Sequence, residues 1–322
     1  MELFKNLVVL FWLLNKRDEI LLISIIGSGK VGSAIAFLCI SNSLDDVLLV
    51  NRTKNKAIGE ALDISNAIPV NSNFSIHGTD DFSKINGSNI IIITASTGIY
   101  LKNRTEMINA QVKMIKEITN QIKKYCPLAI VLIVSNPLDV LTFVFQKETQ
   151  LSRNKVIGIA SSLDSSRFRY LLSEKFKVKQ SQIIDALVLG EHGDSMVPIF
   201  SRVKVNHRNL LEIINKSEKE KISTEIRDYW KSLRNFKSRS QYGIAKNTFD
   251  VIRSIIKNED LTIPASIVLN GEYGEKDVSM GIPVKLNQDG VKEIIKIKLD
   301  KSENELLKIS AQTIRNYIKS LN

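Results

Sequence analysis

A glycine-rich segment has the residue types and the spacing that bind phosphate groups. The pattern G-x-G-x-x-G is formed by Gly27, Ser28, Gly29, Lys30, Val31 and Gly32. It follows the apolar run Leu21–Ile26, typical of a buried strand, and precedes a helical pattern at Val31–Ile40. The glycines would permit a tight turn, close approach of a pyrophosphate and close helix–strand packing, while the helix would offer free N–H groups. The segment predicts a dinucleotide site; a glycine-rich turn without a ligand is the alternative.

The end of the second predicted strand bears on which dinucleotide is bound. Proteins that bind NAD usually have a carboxylate there, which holds the ribose hydroxyls of the adenosine. This chain has Asn51 in that position, followed by Arg52 and Lys54. Because no carboxylate would repel a 2′-phosphate and both cations could pair with one, we expect NAD or NADP, with NADP tolerated or preferred. Alternatively, the cations only line a solvated loop and the chain binds NAD.

The alternation of apolar runs and helical patterns predicts the fold class. Runs typical of parallel strands buried on both faces are Leu21–Ile26, Val47–Val50, Ile90–Thr94 and Ala129–Val134. Helical spacing occurs between them at Val31–Ile40, Lys54–Ala67 and Thr105–Lys124. The alternation predicts an α/β fold, in which a Rossmann doubly wound parallel sheet is followed by a mixed α+β catalytic domain.

The second half of the chain has a different pattern. Helices are predicted at Ser162–Phe176, Glu218–Leu233, Gly243–Ile256 and Glu303–Ile318. Strands are predicted at Ile183–Leu189, Ile199–Val205, Ile263–Leu269 and Asp277–Lys285. We therefore divide the chain into an extension (1–20), a dinucleotide-binding domain (21–145) and a catalytic domain (146–322). Because no flexible linker separates the two domains, we expect them to pack tightly.

The composition limits the classes to which the protein can belong. A chain of 322 residues with 43% hydrophobic and 25% charged residues allows two folded domains and excludes overall disorder. Cys39 and Cys126 cannot form a disulfide framework, which favours a reducing, cytoplasmic location. Two cysteines and three histidines predict no metal site. The net charge of +11 keeps a nucleic-acid-binding protein as an alternative class, although the cations are spread along the chain without aromatic stacking motifs.

Residues 1–20 are expected to lie outside the main fold. The apolar run Leu7–Leu14 is much shorter than the roughly 20 residues that span a bilayer, and no small-residue cleavage site follows it. We therefore expect an N-terminal extension that is disordered or that results from a start codon assigned too early. A helix on a membrane surface is the alternative.

Three further stretches, taken with the glycine segment, resemble the lactate/malate dehydrogenase family. They are GEHGDSMVP at Gly190–Pro198, VSNPLD at Val134–Asp139 and SLDSSRFR at Ser162–Arg169. Their order and spacing match the family over residues 21–320, and the form is most similar to archaeal malate dehydrogenases, some of which use NADP. The stretch Asp277–Val284 resembles the family's late β-hairpin. The resemblance implies hydride transfer between a nicotinamide cofactor and a small 2-hydroxy acid.

The resemblance also implies the catalytic groups. Oxidation of a secondary alcohol requires a base for the hydroxyl proton, and a histidine with a pKa of about 6.5 suits that role. By the resemblance His192 is this base, and Asp164 is the partner that fixes its tautomer. Arg167 corresponds to the arginine that binds the C1 carboxylate through a bidentate pair, whereas Arg169 is a neighbouring helix residue.

Other site residues follow from the same resemblance. Arg104 corresponds to an arginine on the mobile loop that polarises the carbonyl, and Asn136 to a residue that binds the substrate oxygen near the nicotinamide. Ser240 aligns with a residue that lines the substrate pocket. Residues expected to contact the cofactor, in addition to the glycine segment, Asn51 and Arg52, are Gln111, Val134, Ser135 and Asn136.

The loop before Arg104 departs from the family. Residues 95–103 contain no arginine, whereas the family's loop has one that binds the distal carboxylate of malate. Lys102 is the nearest replacement cation; it would either bind that carboxylate or point to solvent. The resemblance implies hydride transfer between malate and oxaloacetate, with L-lactate or another 2-hydroxy acid as the alternative. It also implies a homo-oligomer, a dimer or a tetramer. From the spread of the cations and the short apolar run at Leu7–Leu14, we expect neither nucleic acid nor a membrane as a partner.

Overall fold

One nine-stranded sheet dominates the described part of the chain. The structure is a computed structural model that describes residues 22–98 and 104–321, with the side chains of 104–106 outside the description. The predicted extension at 1–20 and the predicted substrate contact Lys102 therefore lie outside the described residues.

Six parallel strands form the first part of the sheet. They are β1 (Leu22–Ile26), β2 (Asp46–Val50), β3 (Ile76–Thr79), β4 (Ser88–Ile93), β5 (Ile130–Ile133) and β6 (Val156–Gly158). Their order in the sheet is β3-β2-β1-β4-β5-β6. From β1 the chain adds β2 and β3 on one side and then returns to add β4, β5 and β6 on the other, so the neighbours β1 and β4 mark the switch point. Ligands of doubly wound proteins bind at the carboxyl ends of strands at such a switch point. The order confirms the predicted Rossmann sheet.

Helices cover both faces of this sheet because side chains alternate along each buried strand. The helices are α1 (Lys30–Ser41), α2 (Lys54–Ser65), α3 (Arg104–Tyr125) and α4 (Leu138–Thr149). In β4, Ile90 and Ile92 pack in one core with α1 and α2, whereas Ile91 and Ile93 pack in a second core with α3 and α4. Burial on both faces explains why the last four residues of β4, Ile90–Ile93, are all apolar.

The second half of the chain extends the same sheet with antiparallel strands. Its strands are β7 (Ile183–Ile184), β8 (Leu187–Leu189), β9 (Val197–Ile199), β10 (Lys204–Val205), β11 (Arg208–Asn209), β12 (Leu261–Asn270), β13 (Lys276–Asn287) and β14 (Gly290–Ile294). Its helices are α5 (Ser161–Phe176), α6 (Lys216–Arg234), α7 (Tyr242–Lys257) and α8 (Lys301–Lys319). Strand β12 pairs with β6 at Ser266 and Gly158, and β13 and β14 follow it. Strand β5 pairs with β6 across residue 145, so one continuous sheet contains strands of both predicted domains.

Two strands predicted as continuous are interrupted. Within Ile183–Leu189, Asp185 adopts φ = +57° and separates β7 from β8. Within Ile199–Val205, a single 3₁₀ turn at Phe200–Arg202 separates β9 from β10. Both predictions of one strand are wrong because an apolar pattern does not reveal a local change of backbone conformation.

The sequence did not predict five of these elements: β3, β6, β11, β14 and α4. The four strands have two to five residues, and only β6 is wholly apolar, so none shows an apolar run as long as those of β1, β2, β4 and β5. Residue 145, near which we place the boundary between the two domains, lies inside α4. The boundary stays a prediction.

Within the described ranges, no helix is both long and apolar enough to cross a membrane. In the same ranges, no three side chains of His, Cys, Asp or Glu come together as metal ligands. Cys39 and Cys126 are buried free thiols, and burial raises the pKa of each.

Candidate active site

The glycine turn lies at the carboxyl end of β1, at the switch point of the sheet. Gly27 has φ = +111° and donates its N–H to Val50 O at 2.8 Å, which ties the turn to β2. A Cβ atom on Gly27 would lie 2.7 Å from Ala95 N, and one on Gly32 would lie 1.9 Å from Gly27 O. Glycine is therefore needed at these two positions for the conformation and packing of the turn itself.

Gly29 is the glycine that leaves room for a ligand. It precedes α1 with an extended backbone, and a Cβ atom there would meet no atom within 4 Å. The first N–H groups of α1 receive no cap from a side chain within the described residues. An open surface before free helix N–H groups fits a pyrophosphate, which binds to such groups and to the positive end of the helix dipole.

Polar side chains from neighbouring strand ends meet at the glycine turn. Asn51, after β2, donates Nδ2–H to Ser28 Oγ at 2.9 Å and accepts from Thr53 N at 3.0 Å. Arg52 donates Nη2–H to Thr97 O at 3.2 Å and is otherwise exposed. The structure thus brings an amide and a cation, rather than a carboxylate, beside the predicted cofactor site.

The segment after β5 presents Asn136 on a fixed backbone. Val134 N and Ser135 N donate to Ile93 O at 2.9 and 3.1 Å, and Ser135 Oγ donates to Ala95 O at 2.6 Å. Ser135 is buried, whereas Asn136 is exposed and is joined to Pro137 by a cis peptide bond. The buried serine therefore holds the segment while the Asn136 amide stays accessible to a ligand.

Gln111 of α3 reaches the same group of strand ends. Its Nε2 donates to Thr97 Oγ1 at 2.9 Å and to Ser96 Oγ at 3.3 Å. Its Oε1 is buried and has no hydrogen-bond partner within the described part of the chain. A buried acceptor without a donor is costly, so a donor on a bound ligand would stabilise this amide.

His192, Asp164 and Arg167 form one hydrogen-bonded group. His192 Nδ1–H donates to Asp164 Oδ2 at 2.5 Å, and Arg167 Nη1 donates to Asp164 Oδ1 at 2.9 Å. Asp164 and Arg167 meet because they lie three residues apart on α5, while His192 comes from the segment between β8 and β9. The Asp164 side chain is 1% exposed, that of Arg167 10% and that of His192 17%. The pair leaves Nε2 as the imidazole nitrogen that can exchange a proton with a substrate.

The charges in this group favour an ionised carboxylate beside a protonated imidazole. Burial opposes the ionisation of Asp164, but His192 and Arg167 outweigh it and hold the pKa of Asp164 below its ordinary value. Burial also opposes the protonation of His192, but the Asp164 carboxylate outweighs it and raises the pKa of His192 above its ordinary value. The Asp164 carboxylate therefore favours the protonated imidazole, which is the form that a general acid needs.

Arg167 is positioned for a second anion. Its guanidinium carbon lies 5.1 Å from the centre of the Tyr229 ring, so a stacked aromatic from α6 supports it. Only Nη1 is used for Asp164, and within the described residues the other guanidinium nitrogens have no hydrogen bond. A fork of free N–H groups is suited to bidentate binding of a carboxylate.

A buried carboxylate without a predicted role lies directly behind His192. Asp139, in the first turn of α4, accepts the backbone N–H of His192 at 2.8 Å and the hydroxyl of Ser266 at 2.6 Å. Burial raises the pKa of Asp139 to about 6. The sequence offered one signal, an acidic residue three positions after Asn136 in an otherwise apolar helix start, but its partners are distant in the chain.

Other predicted residues are not joined to the His192 group by any described contact. Arg104 is the first residue of α3, and its side chain lies outside the description. Ser240 is half-buried in the segment between α6 and α7, two residues after Ser238, which accepts a hydrogen bond from Lys30 Nζ at 3.0 Å. Lys30 therefore connects the start of α1 to the segment that carries Ser240.

Comparison with known proteins covers nearly the whole chain. A family model described as the NAD-binding domain of lactate/malate dehydrogenase matches residues 21–158, and one for the α/β C-terminal domain of the same family matches 161–322. The chain is 34% identical to a malate dehydrogenase of Ehrlichia canis, covering 93% of this chain and 98% of that protein. It is 31% identical to L-lactate dehydrogenase 1 of Listeria innocua, covering 92% and 96%. The lactate dehydrogenase of Cryptosporidium parvum, solved with lactic acid and NAD, superimposes with a TM-score of 0.89 at 32% identity, covering 94% and 98%.

Proposed function

Because the chain belongs to the lactate/malate dehydrogenase family, whose members are NAD-dependent 2-hydroxy-acid dehydrogenases, we propose that it interconverts malate and oxaloacetate. The hydrogen-bonded group of His192, Asp164 and Arg167 is the observation that carries the reaction type. In this group His192 is the proton donor, Asp164 orients His192, and Arg167 is a cation that can bind a carboxylate. The relative from Ehrlichia canis, named a malate dehydrogenase, supports the choice of substrate.

In the proposed reaction the side chains bind the acid and move one proton. Arg167 binds the C1 carboxylate through the guanidinium nitrogens that Asp164 leaves free, and Asn136 donates to the oxygen on C2. A nicotinamide cofactor held by the glycine turn and Asn51 would supply the hydride for C2 of the keto acid. Protonated His192 gives the proton on Nε2 to the C2 oxygen, and the Asp164 carboxylate stabilises the imidazolium before the transfer. Arg104, the first residue of α3, would polarise the same carbonyl.

The second carboxylate of malate needs a cation that residues 95–103 supply only through Lys102. We propose that Lys102 binds this carboxylate. The absence of arginine in 95–103 favours a second candidate function, reduction of a monocarboxylate such as pyruvate to L-lactate. Either substrate would use His192, Asp164 and Arg167 in the same way.

A matrix of four steady-state assays tests the proposed function. Oxaloacetate and pyruvate are each assayed with NADH and NADPH, and kcat/KM is compared. We expect the largest value with oxaloacetate. A preference for pyruvate would replace malate by lactate as the substrate, and no turnover with any of the four pairs would refute the proposed reaction.

For the cofactor, we propose that Asn51 and Arg52 allow NADPH as well as NADH. Replacing Asn51 with aspartate places a carboxylate beside Ser28, where it would repel a 2′-phosphate. The ratio of kcat/KM for NADH over NADPH should rise about tenfold or more, since like charges brought together cost several kcal/mol. Asn55→Asp, an exposed position in the first turn of α2, introduces the same charge as a control and should leave the ratio unchanged. An unchanged ratio in Asn51→Asp would mean that this position does not face the ribose.

Gly29→Ala should weaken cofactor binding without unfolding the protein. A Cβ atom at Gly29 meets nothing in the protein, yet it fills the space before α1 that a pyrophosphate needs. We expect the dissociation constant for NADH, measured by fluorescence titration, to rise roughly tenfold or more, about 1.4 kcal/mol or more. Gly32→Ala is the contrasting variant, because its Cβ would lie 1.9 Å from Gly27 O and should lower the melting temperature. Wild-type affinity in Gly29→Ala would contradict the proposed site.

We also propose that residues 21–145 bind the cofactor and 146–322 complete the substrate site, in a cytoplasmic homo-oligomer. The glycine turn, Asn51 and Asn136 come from the first part, whereas Asp164, Arg167 and His192 come from the second. Two buried free thiols suit a reducing compartment. Light scattering after size-exclusion chromatography measures the oligomeric state, and a monomeric mass would contradict this assembly.

A further inference from the structure

Asp139 is a buried carboxylate that the proposed reaction does not use. Its residue is 4% exposed, and Oδ1 accepts the hydroxyl of Ser266 from β12 at 2.6 Å. Oδ2 accepts the backbone N–H of His192 at 2.8 Å, and the Asp139 carbonyl accepts the hydroxyl of Ser279 from β13. One residue of α4 is thus bonded to two strands of the second half and to the segment that carries His192.

The position of Asp139 in the chain connects the two sides of the candidate site. It lies three residues after Asn136, and the short segment between them is fixed to β4 through Ser135 Oγ and Ala95 O. Asn136 is expected to bind the same substrate oxygen that receives the proton from His192. Asp139 lies on the same segment as Asn136, and its carboxylate accepts the backbone N–H of His192. It therefore sets the distance between the Asn136 amide and the His192 imidazole.

We propose that Asp139 is a positioning residue for proton transfer: it holds the backbone of His192 in register with Asn136, and its negative charge favours the protonated imidazole. The inference rests on the proposed function of His192 as the proton donor. Asp139 acts through His192 and does not touch the substrate.

Two titratable groups face Asp139 within the described residues, and both lie on the segment after β8. His192 stabilises the ionised form of Asp139, whereas the carboxylate of Glu191 opposes it. The net result of burial, hydrogen bonding and these charges is a pKa of about 6 for Asp139. Above that pH the carboxylate is ionised and raises the pKa of His192, so removal of its charge should lower the pKa of His192.

Asp139→Ala and Asp139→Asn separate the two parts of the role. Alanine removes the acceptor for His192 N–H, and we expect kcat for keto-acid reduction to fall about 10- to 100-fold, the scale of a small misplacement of a catalytic group. KM for the keto acid and the Kd for NADH should change less than about threefold, because neither binding contact is touched.

Asp139→Asn keeps an oxygen for His192 N–H and can donate to Ser266 Oγ, so kcat at low pH should stay near that of the wild type. Its pH profile for kcat should have the alkaline limb displaced to lower pH.

Ser266→Ala is the matched control, because it removes the other hydrogen bond to the same carboxylate and leaves the bond to His192 in place. Ser266→Ala should lower the melting temperature and leave kcat near that of the wild type. If Asp139→Ala has the kcat of the wild type per folded molecule, the positioning role is wrong. If the alanine variant does not fold, Asp139→Asn decides, and an alkaline limb at the wild-type pH overturns the inference. A wild type without turnover refutes the proposed function instead, so the two failures are distinguishable.

Discussion

Replacing His192 with asparagine is expected to lower kcat for keto-acid reduction about 10²- to 10⁴-fold, the usual contribution of a general acid. The asparagine amide can occupy the place of Nδ1 and donate to Asp164, but it has no atom equivalent to Nε2. Asp164 also keeps its ion pair with Arg167 at 2.9 Å, so the buried charge is not left alone. The melting temperature and the Kd for NADH should therefore stay near those of the wild type while the chemical step is lost.

The role of His192 as the acid also predicts the direction in which the activity of the wild type changes with pH. Reduction of the keto acid needs protonated His192, so kcat/KM should be constant at low pH and fall as pH rises through the pKa of His192. Because Asp164 raises that pKa, the fall should be centred above pH 6.5, the ordinary value for histidine. Oxidation of the hydroxy acid needs neutral imidazole and should rise over the same interval. In His192→Asn both limbs should disappear.

His77→Asn is the control for this variant, since it makes the same change at an exposed position on β3. It should have the activity and the pH profile of the wild type. A His192→Asn variant that keeps more than about a tenth of wild-type kcat would place the acid elsewhere, because even a weak general acid contributes more than that.

The parts of the site that the sequence predicted are those with local signals. The glycine turn was predictable because its function depends on spacing within six residues and on a strand before it. Asp164 and Arg167 were expected from the resemblance to a family, and they lie three residues apart on one helix, so the single stretch Ser162–Arg169 carries both. Strands with apolar runs, such as Ile90–Ile93 of β4, were predictable because residues buried on both faces of the sheet are apolar.

What the sequence did not predict depends on distant contacts. Asp139 bonds to residues 53 and 127 positions away in the chain, and no local pattern reports such partners. The pairing of His192 with Asp164 spans 28 positions and was expected only from the resemblance to a family. Strand β6 has only three residues, and it forms a strand because it pairs with β5 on one side and β12 on the other.

Arg167→Lys is the second variant with a large expected effect. Lysine keeps a positive charge on α5 but replaces the planar fork with an ammonium, whose three N–H groups diverge from one nitrogen. Such diverging donors cannot form two parallel bonds to a substrate carboxylate while one of them stays on Asp164. We expect kcat/KM for the keto acid to fall about 100- to 1000-fold, or roughly 3–4 kcal/mol, in the range found when one partner of a buried charge pair is truncated.

The distribution of this loss between kcat and KM identifies the role of Arg167. If the arginine binds the C1 carboxylate equally in the ground state and the transition state, most of the change should appear as a higher KM for the keto acid. The Kd for NADH should not change, because Arg167 contacts Asp164 and Tyr229 rather than the glycine turn that we propose as the cofactor site. A loss confined to kcat would instead mean that the lysine disturbs Asp164, and through it the orientation of His192.

Arg169→Lys supplies the matched control two residues along the same helix. Arg169 is exposed, and Nε donates to Gln180 Oε1 at 3.4 Å, a weak surface contact. The control should retain wild-type kcat/KM, since an exposed polar pair contributes little to the fold or to the site. Equal losses in Arg167→Lys and Arg169→Lys would contradict a carboxylate-binding role for Arg167, because only one of the two guanidinium groups is bonded to the carboxylate that orients His192.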